Sequence, residues 1–413
     1  MPAPLASYVE RDARHLVLTS DAYVPVLKHA AQLTGGVALF IHTHPEHEPR
    51  ASQADDKVDE ALRPVFQLRT GQSVYGSLVL RMERGELTFS GRAWRERRFL
   101  GSISLMREIG LRIRVRSAVD DPDPVPPPAH FDRQIRAFGP EFQELIGKLH
   151  VGIVGAGGTG SAVGEQLIRL GVGTISVVDY QTIDADGSNV TRVYGSGMSS
   201  RRKPKTAVLR KSARRIGLGT RVVEVSGNVR SRQVAEALRD CDVIFGCTDD
   251  HAGRAILSRL AYWYLVPVFD MAFMVDKNPD QTIRGLEGRV STMLPGLACL
   301  FCLDVIDTDL LTAEELPRDE YERRRRDGYV PGLNEADPAV VPYTTMVAAF
   351  AVNELIERLV GFADRAPGEL RVRVHDRKLS PSATASDPGH FCADRDNWGA
   401  GDREPFLGRS LWP

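Results

Sequence analysis

The stretch LHVGIVGAGGTGSAVGEQLIRLGVGTISVVDY (residues 149–180) decides the fold. It begins with a short apolar run, turns at a group of glycines, continues with apolar residues at helical spacing, and ends in a second apolar run at Asp179. A buried strand, a helix and a second buried strand in this order make a βαβ unit. Similar runs recur in TRVVEVSGN, CDVIFGCTDD and VPVFDMAF. We therefore predict an α/β domain of Rossmann type, with helices on both faces of its sheet.

Three glycines, Gly155, Gly157 and Gly160, follow the first strand directly. This spacing lets the chain turn tightly and brings a phosphate against backbone N–H groups at the start of a helix, where the helix dipole favours negative charge. Asp179 follows about twenty residues later, where a carboxylate can hold a ribose hydroxyl. The pattern fits NAD as well as ATP, so a NAD-dependent redox protein is one hypothesis that the loop alone leaves open.

Polar residues beyond this unit favour ATP. The segments DYQTIDADGSNVTRVYG, KPKTAVL and GCTDDHAGR supply Asn189, Arg192, Lys205 and Asp249. Attack on an α-phosphate needs cations that neutralise the phosphate oxygens, and a carboxylate that holds the Mg²⁺ accompanying the departing pyrophosphate. A redox site has no use for this set. We therefore predict that the domain binds ATP together with Mg²⁺.

This part of the chain resembles the E1-like (ubiquitin-activating) superfamily, specifically the bacterial ThiF/MoeB/HesA adenylyltransferases. The resemblance rests on FDRQI, VGIVGAGGTGS, VVDYQTIDADGSNVTR, KPKTA and GCTDD, which occur in the family's order. It implies a homodimer that adenylates the terminal carboxylate of a small ubiquitin-like or sulfur-carrier protein with a Gly-Gly-type C-terminus. It also implies these roles: Asp179 binds the ribose, Asn189, Arg192 and Lys205 contact the phosphates, Asp249 carries Mg²⁺, and Arg133 reaches the triphosphate of the partner subunit.

Cysteines point to a zinc site. Cys299 and Cys302 are separated by two residues, a spacing that lets two thiolates bind one tetrahedral zinc. The resemblance supplies the remainder: the family ends with a second cysteine pair, and here SDPGHFCADR offers His390 and Cys392. We expect a Cys₃His zinc site, the alternative being that Cys392 is a free thiol on an unstructured tail. The other two cysteines flank the strand in DCDVIFGC, so we predict that no cysteine forms a thioester with the substrate.

A second set of candidate site residues lies near the N-terminus. GVALFIHTH predicts a buried strand, and His42 and His44 lie two apart at its end, so both imidazoles project to one side. Ser52 and Asp55 follow. Asp55 can complete a zinc site with the two histidines, and Ser52 can polarise the oxyanion of a tetrahedral intermediate. The runs SVYGSLVLRM and GELTFSGRAW predict further strands, so we expect a small α+β domain here.

This N-terminal pattern resembles the JAB/JAMM (MPN) metalloproteases, a family of deubiquitinase-like hydrolases. The family places its general base, a glutamate, on a strand well before the histidines, and only Glu10 precedes His42. Loss of a general base lowers a rate by about 10²–10⁴-fold. We therefore expect a truncated, inactive copy that binds the carrier tail. The alternatives are trimming of that tail with Glu10 as base, a zinc metallopeptidase to which the E1-like domain recruits the substrate, and a scaffold in which neither domain is catalytic.

Prolines separate the two parts. DDPDPVPPPAHF cannot continue a helix or a sheet, because proline lacks a backbone N–H. We predict a JAB/JAMM-like domain over residues 1–117, a linker over 118–130 and an E1-like adenylation domain over 131–413. A net charge of −1 across 413 residues gives no field that attracts nucleic acid. Since the sequence shows no signal peptide and no apolar stretch of membrane-spanning length, we expect a cytoplasmic protein without a membrane partner.

Overall fold

A computed structural model describes residues 3–11, 16–32, 37–119, 126–317, 340–364 and 367–409, together with residues 320, 323, 324 and 326. The contacts within the chain define two compact units. The first comprises residues 1–108, 114–125 and 401–408, and the second comprises residues 109–113, 126–400 and 409–413. Residues 120–125, in the predicted linker, lie outside the described part. No helix in the described ranges is long and apolar enough to cross a membrane.

The first 117 residues contain eight strands and two α-helices within the described ranges. The strands are β1 (Tyr8–Arg11), β2 (Leu16–Leu18), β3 (Leu39–Thr43), β4 (Val74–Glu83), β5 (Glu86–Arg95), β6 (Arg98–Ser102), β7 (Leu105–Ile109) and β8 (Ile113–Ser117), and the helices are α1 (Val24–Ala30) and α2 (Gln53–Thr70). Strands β3 to β6 form one four-stranded sheet in this order, with β3 parallel to β4 and the other neighbours antiparallel. Two further pairs, β1 with β2 and β7 with β8, form two-stranded sheets.

Helix α2 is tied to the sheet of the first unit by polar and apolar contacts. Leu27, Phe66 and Tyr75 form a buried core between the helices and β4. The carboxylate of Asp59, which is 3% exposed, accepts hydrogen bonds from the Tyr75 hydroxyl at 2.7 Å and from the Ser77 hydroxyl at 2.9 Å. A buried carboxylate with satisfied oxygens fixes the helix on the sheet, because losing either partner leaves an unpaired polar group in the core.

The second unit alternates strands and helices. Its strands are β9 (His150–Val154), β10 (Thr174–Val178), β11 (Arg221–Val225), β12 (Val243–Gly246), β13 (Val268–Lys277), β14 (Ile283–Met293), β15 (Glu369–Arg373) and β16 (Lys378–Ser382). Its helices are α3 (Asp132–Phe138), α4 (Pro140–Lys148), α5 (Gly158–Leu170), α6 (Lys205–Ile216), α7 (Arg232–Glu236), α8 (His251–Trp263), α9 (Thr308–Glu314) and α10 (Val341–Val360).

These strands form one sheet in the order β11-β10-β9-β12-β13-β14-β15-β16. The first five strands of this order, β11 to β13, are parallel, and the pairs β13/β14, β14/β15 and β15/β16 are antiparallel. The chain moves outward from β9 to β10 on one side and continues with β12 on the other. Ligands of such sheets bind in the crevice at the carboxyl ends of the strands where the direction reverses. The predicted α/β fold with a Rossmann-like unit is confirmed, and its crevice lies beyond β9 and β12.

The turn between α5 and β10 leaves no room for a side chain at Gly173. Val172 in this turn is fully buried. A Cβ atom added at Gly173 would lie 2.1 Å from the carbonyl oxygen of Gly147. This is less than any real carbon–oxygen contact, so a larger residue must displace the backbone of α4 or of the turn. The turn therefore fixes the path of the chain from α5 into β10, the second strand of the βαβ unit.

We predict that Gly173→Ala lowers the free energy of unfolding by about 1–3 kcal/mol, the usual cost of overpacking a closely packed site. Gly147→Ala is the matched control, since a Cβ there meets no atom within 4 Å. Urea denaturation of both variants measures the difference. Equal stability of the two variants would show that the turn is not closely packed.

Candidate functional site

A cavity of about 290 Å³ opens at the carboxyl ends of β9, β10 and β12. We call it the glycine-loop cavity. Its lining includes six of the residues singled out in the sequence, namely Gly155, Gly157, Asp179, Arg192, Lys205 and Asp249. These residues come from five separate segments of the chain, and the parallel sheet brings them together.

Glycine is required at two positions behind this cavity. Gly155 has a φ of +95°, and a Cβ there would lie 2.6 Å from the carbonyl oxygen of Cys247. A Cβ at Gly160, in the first turn of α5, would lie 1.7 Å from the carbonyl oxygen of Gly155. The loop after β9 therefore packs backbone to backbone against the loop after β12. This packing leaves the N-terminus of α5 facing the cavity, as a phosphate site needs.

Asp179 braces the same loop. Its two carboxylate oxygens accept hydrogen bonds from the backbone N–H groups of Ala156 and Gln181, each at 2.7 Å. Asp179 also lines the cavity at the end of β10. Because each carboxylate oxygen has a further lone pair, Asp179 can brace the loop and still accept a hydrogen bond from a ligand hydroxyl.

Both cationic and anionic side chains line the cavity. Lys205, the first residue of α6, is 7% exposed, and its Nζ donates to Oε1 of Gln181 at 2.5 Å. Asp249 is exposed just before α8. The pKa of Tyr180 is raised, first by burial and then by Asp250, Asp249 and Asp179. The carboxylates thus create a negative potential that suits a bound cation.

Three predicted residues lie off the lining of this cavity, namely Gly160, Asn189 and Arg133. Asn189 is 2% exposed, and its Oδ1 accepts the N–H of Asp184 at 3.2 Å, so it orders the loop that carries Arg192. Arg133 lies exposed on α3. Conversely, Arg254 lines the cavity but was not predicted from the sequence. Its position on the first turn of α8, shortly after Asp249, is a signal that could have identified it.

A second cluster gathers three cysteines and a histidine in the same unit. Sγ of Cys302 lies 3.9 Å from Sγ of Cys299 and 3.6 Å from Sγ of Cys392. Nδ1 of His390 lies 3.3 Å from Sγ of Cys299 and 3.6 Å from Sγ of Cys302. Thiolates 2.3 Å from one tetrahedral zinc lie about 3.8 Å apart. The spacing of the four ligand atoms therefore fits a single zinc ion.

The surroundings of this cluster suit a metal. The hydrogen bond between Cys299 and Cys392 lowers the pKa of Cys392 to about 4 and raises the pKa of Cys299. Cys302 accepts the N–H of Asp387 at 3.4 Å, and the indole of Trp398 donates to the carbonyl of Cys392 at 3.0 Å. Such outer contacts hold metal ligands in place.

The first unit contains a third cluster, formed by His42, His44 and Asp55. Nε2 of His42 lies 3.2 Å from Nε2 of His44 and 2.9 Å from Oδ1 of Asp55, and Nε2 of His44 lies 3.4 Å from Oδ2 of Asp55. Ligands about 2.0–2.1 Å from a tetrahedral zinc lie roughly 3.3 Å apart, so the set fits three ligands of one zinc. Burial alone would raise the pKa of Asp55, but hydrogen bonds from His42 and Ser52 hold it below its usual range.

Ser52 is engaged by Asp55. It is the N-cap of α2: its Oγ accepts the N–H of Asp55, and its own N–H and hydroxyl both contact Oδ2 of Asp55 at 2.7 Å. This capping box fixes the first turn of α2 and aims Asp55 at the histidines. Glu10 lies on β1, which pairs with β2 outside the sheet that carries the histidines, and it does not belong to the cluster.

The two remaining cysteines lie in the core and at the edge of the glycine-loop cavity. Cys241 is fully buried. Cys247 borders the glycine-loop cavity, but burial, and then the charge of Asp270, raises the pKa of its thiol far above the usual range. A nucleophilic cysteine needs a lowered pKa and access to its substrate, so neither residue suits that role.

The second unit matches a known protein family. A profile of the ThiF family matches residues 131–381. The sulfur carrier protein ThiS adenylyltransferase of Bacillus subtilis is 26% identical over 167 residues, 40% of this chain and 47% of the relative. The molybdopterin-synthase adenylyltransferase of Escherichia coli is 28% identical over 177 residues, 42% of this chain and 66% of the relative. The chain thus spans about half to two thirds of these relatives.

Solved structures show the same fold. A structure of Escherichia coli MccB with MccA-N7isoASN is 14% identical, with a TM-score of 0.52 over 64% of this chain and 74% of the MccB chain. Another, of the microcin C7 biosynthetic enzyme MccB in complex with N-formylated MccA, has a TM-score of 0.51 at 14% identity over 65% and 77% of the two chains. At this identity the likeness concerns the fold alone. Since the family profile covers more than half of its residues, the chain belongs to the ThiF family.

Proposed function

We propose that the chain activates the C-terminal carboxylate of a small ubiquitin-like or sulfur-carrier protein by adenylation with ATP. The observation that carries this proposal is the convergence of Lys205, Arg192 and Asp249 on the glycine-loop cavity. Relatives named for ThiS, for molybdopterin synthase and, in Haloferax volcanii, for SAMP activation support this class of substrate. We expect a Gly-Gly-type C-terminus, because a chain end without side chains can bring its backbone close to a bound ligand.

In the proposed reaction, a carboxylate oxygen of the substrate attacks the α-phosphorus of ATP. The new O–P bond forms as the bond to pyrophosphate breaks, and no proton is transferred. Both reactants are anionic, so Lys205 and Arg192 neutralise phosphate oxygens. Asp179 holds the ribose. Asp249 would hold Mg²⁺, which supplies positive charge to the departing pyrophosphate.

Two further residues act indirectly or from another subunit in this proposal. Asn189 keeps the loop before Arg192 in place, because its amide oxygen is already bonded to the backbone. Arg133, exposed on α3, serves the triphosphate of the partner subunit in a homodimer. The acyl-adenylate is then passed to a sulfur donor or another nucleophile, since Cys241 is fully buried and the raised pKa of Cys247 makes its thiol unsuited to forming a thioester.

We propose that the two metal clusters bind zinc for different purposes. The site of Cys299, Cys302, His390 and Cys392 is closed by four protein ligands, which is typical of structural zinc. The site of His42, His44 and Asp55 has three protein ligands and leaves a position open, as catalytic zinc does.

The first unit is, in this proposal, a JAB/JAMM-like domain that binds the carrier tail. The observation that favours it is the His42–His44–Asp55 cluster on β3 and α2. Among the residues that the structure describes, the cluster contains no glutamate to act as general base, so we expect binding without hydrolysis. Cleavage of a C-terminally extended carrier by the wild-type protein, abolished in His44→Ala, would favour the metallopeptidase alternative instead.

We predict that Lys205→Ala and Asp249→Asn each lower carrier-dependent ATP–pyrophosphate exchange by about 10²–10³-fold, the usual loss when one charge-stabilising group is removed. The assay uses a small carrier ending in Gly-Gly and the same carrier without its two glycines as a blank. Lys203→Ala and Asp240→Asn are matched controls, because both side chains are exposed and neither lines the cavity. Exchange that survives in both site variants would refute the proposal.

We predict that metal analysis finds zinc bound at both clusters, and that His44→Ala and Cys302→Ser each remove the zinc of one. Removing one ligand from a three- or four-ligand site sharply weakens metal binding. His47→Ala, an exposed neighbour of the first cluster, and His375→Ala, exposed in the second unit, serve as controls and should keep both metals. A wild-type protein purified with zinc in the medium that holds none would contradict both metal assignments.

A further inference from the structure

A buried ion pair lies beside the glycine-loop cavity and has no role in the reaction proposed above. Asp270, on β13, is fully buried. Its Oδ1 accepts a hydrogen bond from Nη2 of Arg289 at 2.6 Å. Its Oδ2 lies 3.5 Å from Nε of Arg254, a residue of the cavity lining. Two guanidinium groups therefore share one carboxylate, and a positive charge is left over next to the cavity.

The guanidinium group of Arg254 lacks a full set of hydrogen-bond partners. Its side chain is 12% exposed, and its Nε forms no hydrogen bond, nor does Oδ2 of Asp270. In the described part of the chain, Asp270 is the one carboxylate within 4 Å of its guanidinium. Arg289 has a second partner, the hydroxyl of Ser291 at 2.5 Å. Because a buried charge without full compensation is costly, the arrangement is suited to an additional anion at Arg254.

The order of the strands indicates where this anion would lie relative to a bound nucleotide. Across the sheet, Asp179 follows β10, the glycine loop follows β9, Asp249 follows β12, and the Asp270 pair lies at β13. Neighbouring strands are about 4.8 Å apart, so the ribose carboxylate and β13 are separated by roughly 14 Å. A nucleotide held by Asp179 and the glycine loop places its α-phosphate between Asp179 and β13. Arg254, which lines the cavity and lies against Asp270 on β13, is then on the β13 side of that phosphate, away from the ribose, and is available to a second, anionic reactant.

We propose that Arg254 binds the terminal carboxylate of the substrate and that Asp270 positions Arg254 for this task. The proposal rests on the adenylation proposed above and identifies the subsite of its second reactant. A planar guanidinium can hold a carboxylate by two parallel hydrogen bonds. It offsets the repulsion between the carboxylate and the α-phosphate, and it leaves one oxygen lone pair free to form the O–P bond as pyrophosphate departs. Arg254 is thus a catalytic residue and Asp270 a positioning residue.

Binding of a small probe tests this assignment in the full chain. The probe is N-acetyl-glycylglycine, with its C-terminal amide as the uncharged counterpart, titrated by NMR with and without Mg²⁺ and the non-hydrolysable analogue AMP-CPP. We expect the wild-type protein to prefer the free acid. We expect Arg254→Gln to reduce this preference by about 10–100-fold, the usual effect of losing a charged hydrogen bond, and to leave the affinity for AMP-CPP unchanged.

Three further variants separate positioning from folding. Arg254→Lys keeps the charge and should retain part of the preference, and Asp270→Asn should weaken it without abolishing nucleotide binding. Arg284→Gln is the control. This exposed arginine pairs with Asp276 across β13 and β14, and it does not line the glycine-loop cavity. Thermal unfolding of each variant reports its fold.

Two results would overturn the inference. One is a wild-type protein that binds acid and amide equally. The other is an Arg254→Gln variant that loses affinity for AMP-CPP but keeps the preference for the acid, since Arg254 would then be a phosphate ligand. Failure of the wild-type protein to bind AMP-CPP would refute the proposed adenylation instead, and the titration without nucleotide would still test Arg254.

Discussion

The contact between the backbones of two loops, one after β9 and one after β12, determines the rest of the site. A Cβ at Gly155 would lie 2.6 Å from the carbonyl oxygen of Cys247, so only glycine allows the loops to meet. Their contact closes the bottom of the cavity and turns the N-terminus of α5 toward it. It also brings Asp249, which follows Cys247 by two residues, beside the glycine loop. Without this contact the anion site and the cation site would lie apart.

Charge is distributed unevenly around the cavity, and this distribution suits a reaction between two anions. Lys205 and Arg192 provide positive charge from α6 and from the loop before it, while Asp179 and Asp249 provide carboxylates at strand ends. Asp179 accepts hydrogen bonds from backbone N–H groups of the loops beside it, and these bonds fix both its own position and that of the glycine loop. A preorganised set of this kind does not need to rearrange when charge develops in the transition state. In the same way, the buried carboxylate of Asp270 lies beside Arg254 and limits the positions that its guanidinium can take.

Much of the second unit could be predicted from the sequence, because strong local patterns coincide there. Continuous apolar runs followed by glycines specify buried strands and tight turns, and residues at the ends of parallel strands must lie at one edge of the sheet. Helix α2 was not predicted: its capping pair, Ser52 and Asp55, was interpreted only as part of a metal site. A capping box uses the same residue types as that site, and the structure shows that Ser52 does cap the helix. Arg254 was missed for a related reason, since its partner Asp270 is distant in sequence and only the sheet brings the two together.

The central claim is that the cavity binds the triphosphate of ATP rather than a dinucleotide redox cofactor. Thermal unfolding of the full chain with MgATP, with NAD and without ligand tests it most directly. A ligand at about 100 times its Kd stabilises a protein by roughly 2.7 kcal/mol. The account predicts a clear rise in Tm with MgATP that is lost in Lys205→Ala, and no rise with NAD. Stabilisation by NAD without stabilisation by MgATP would contradict it.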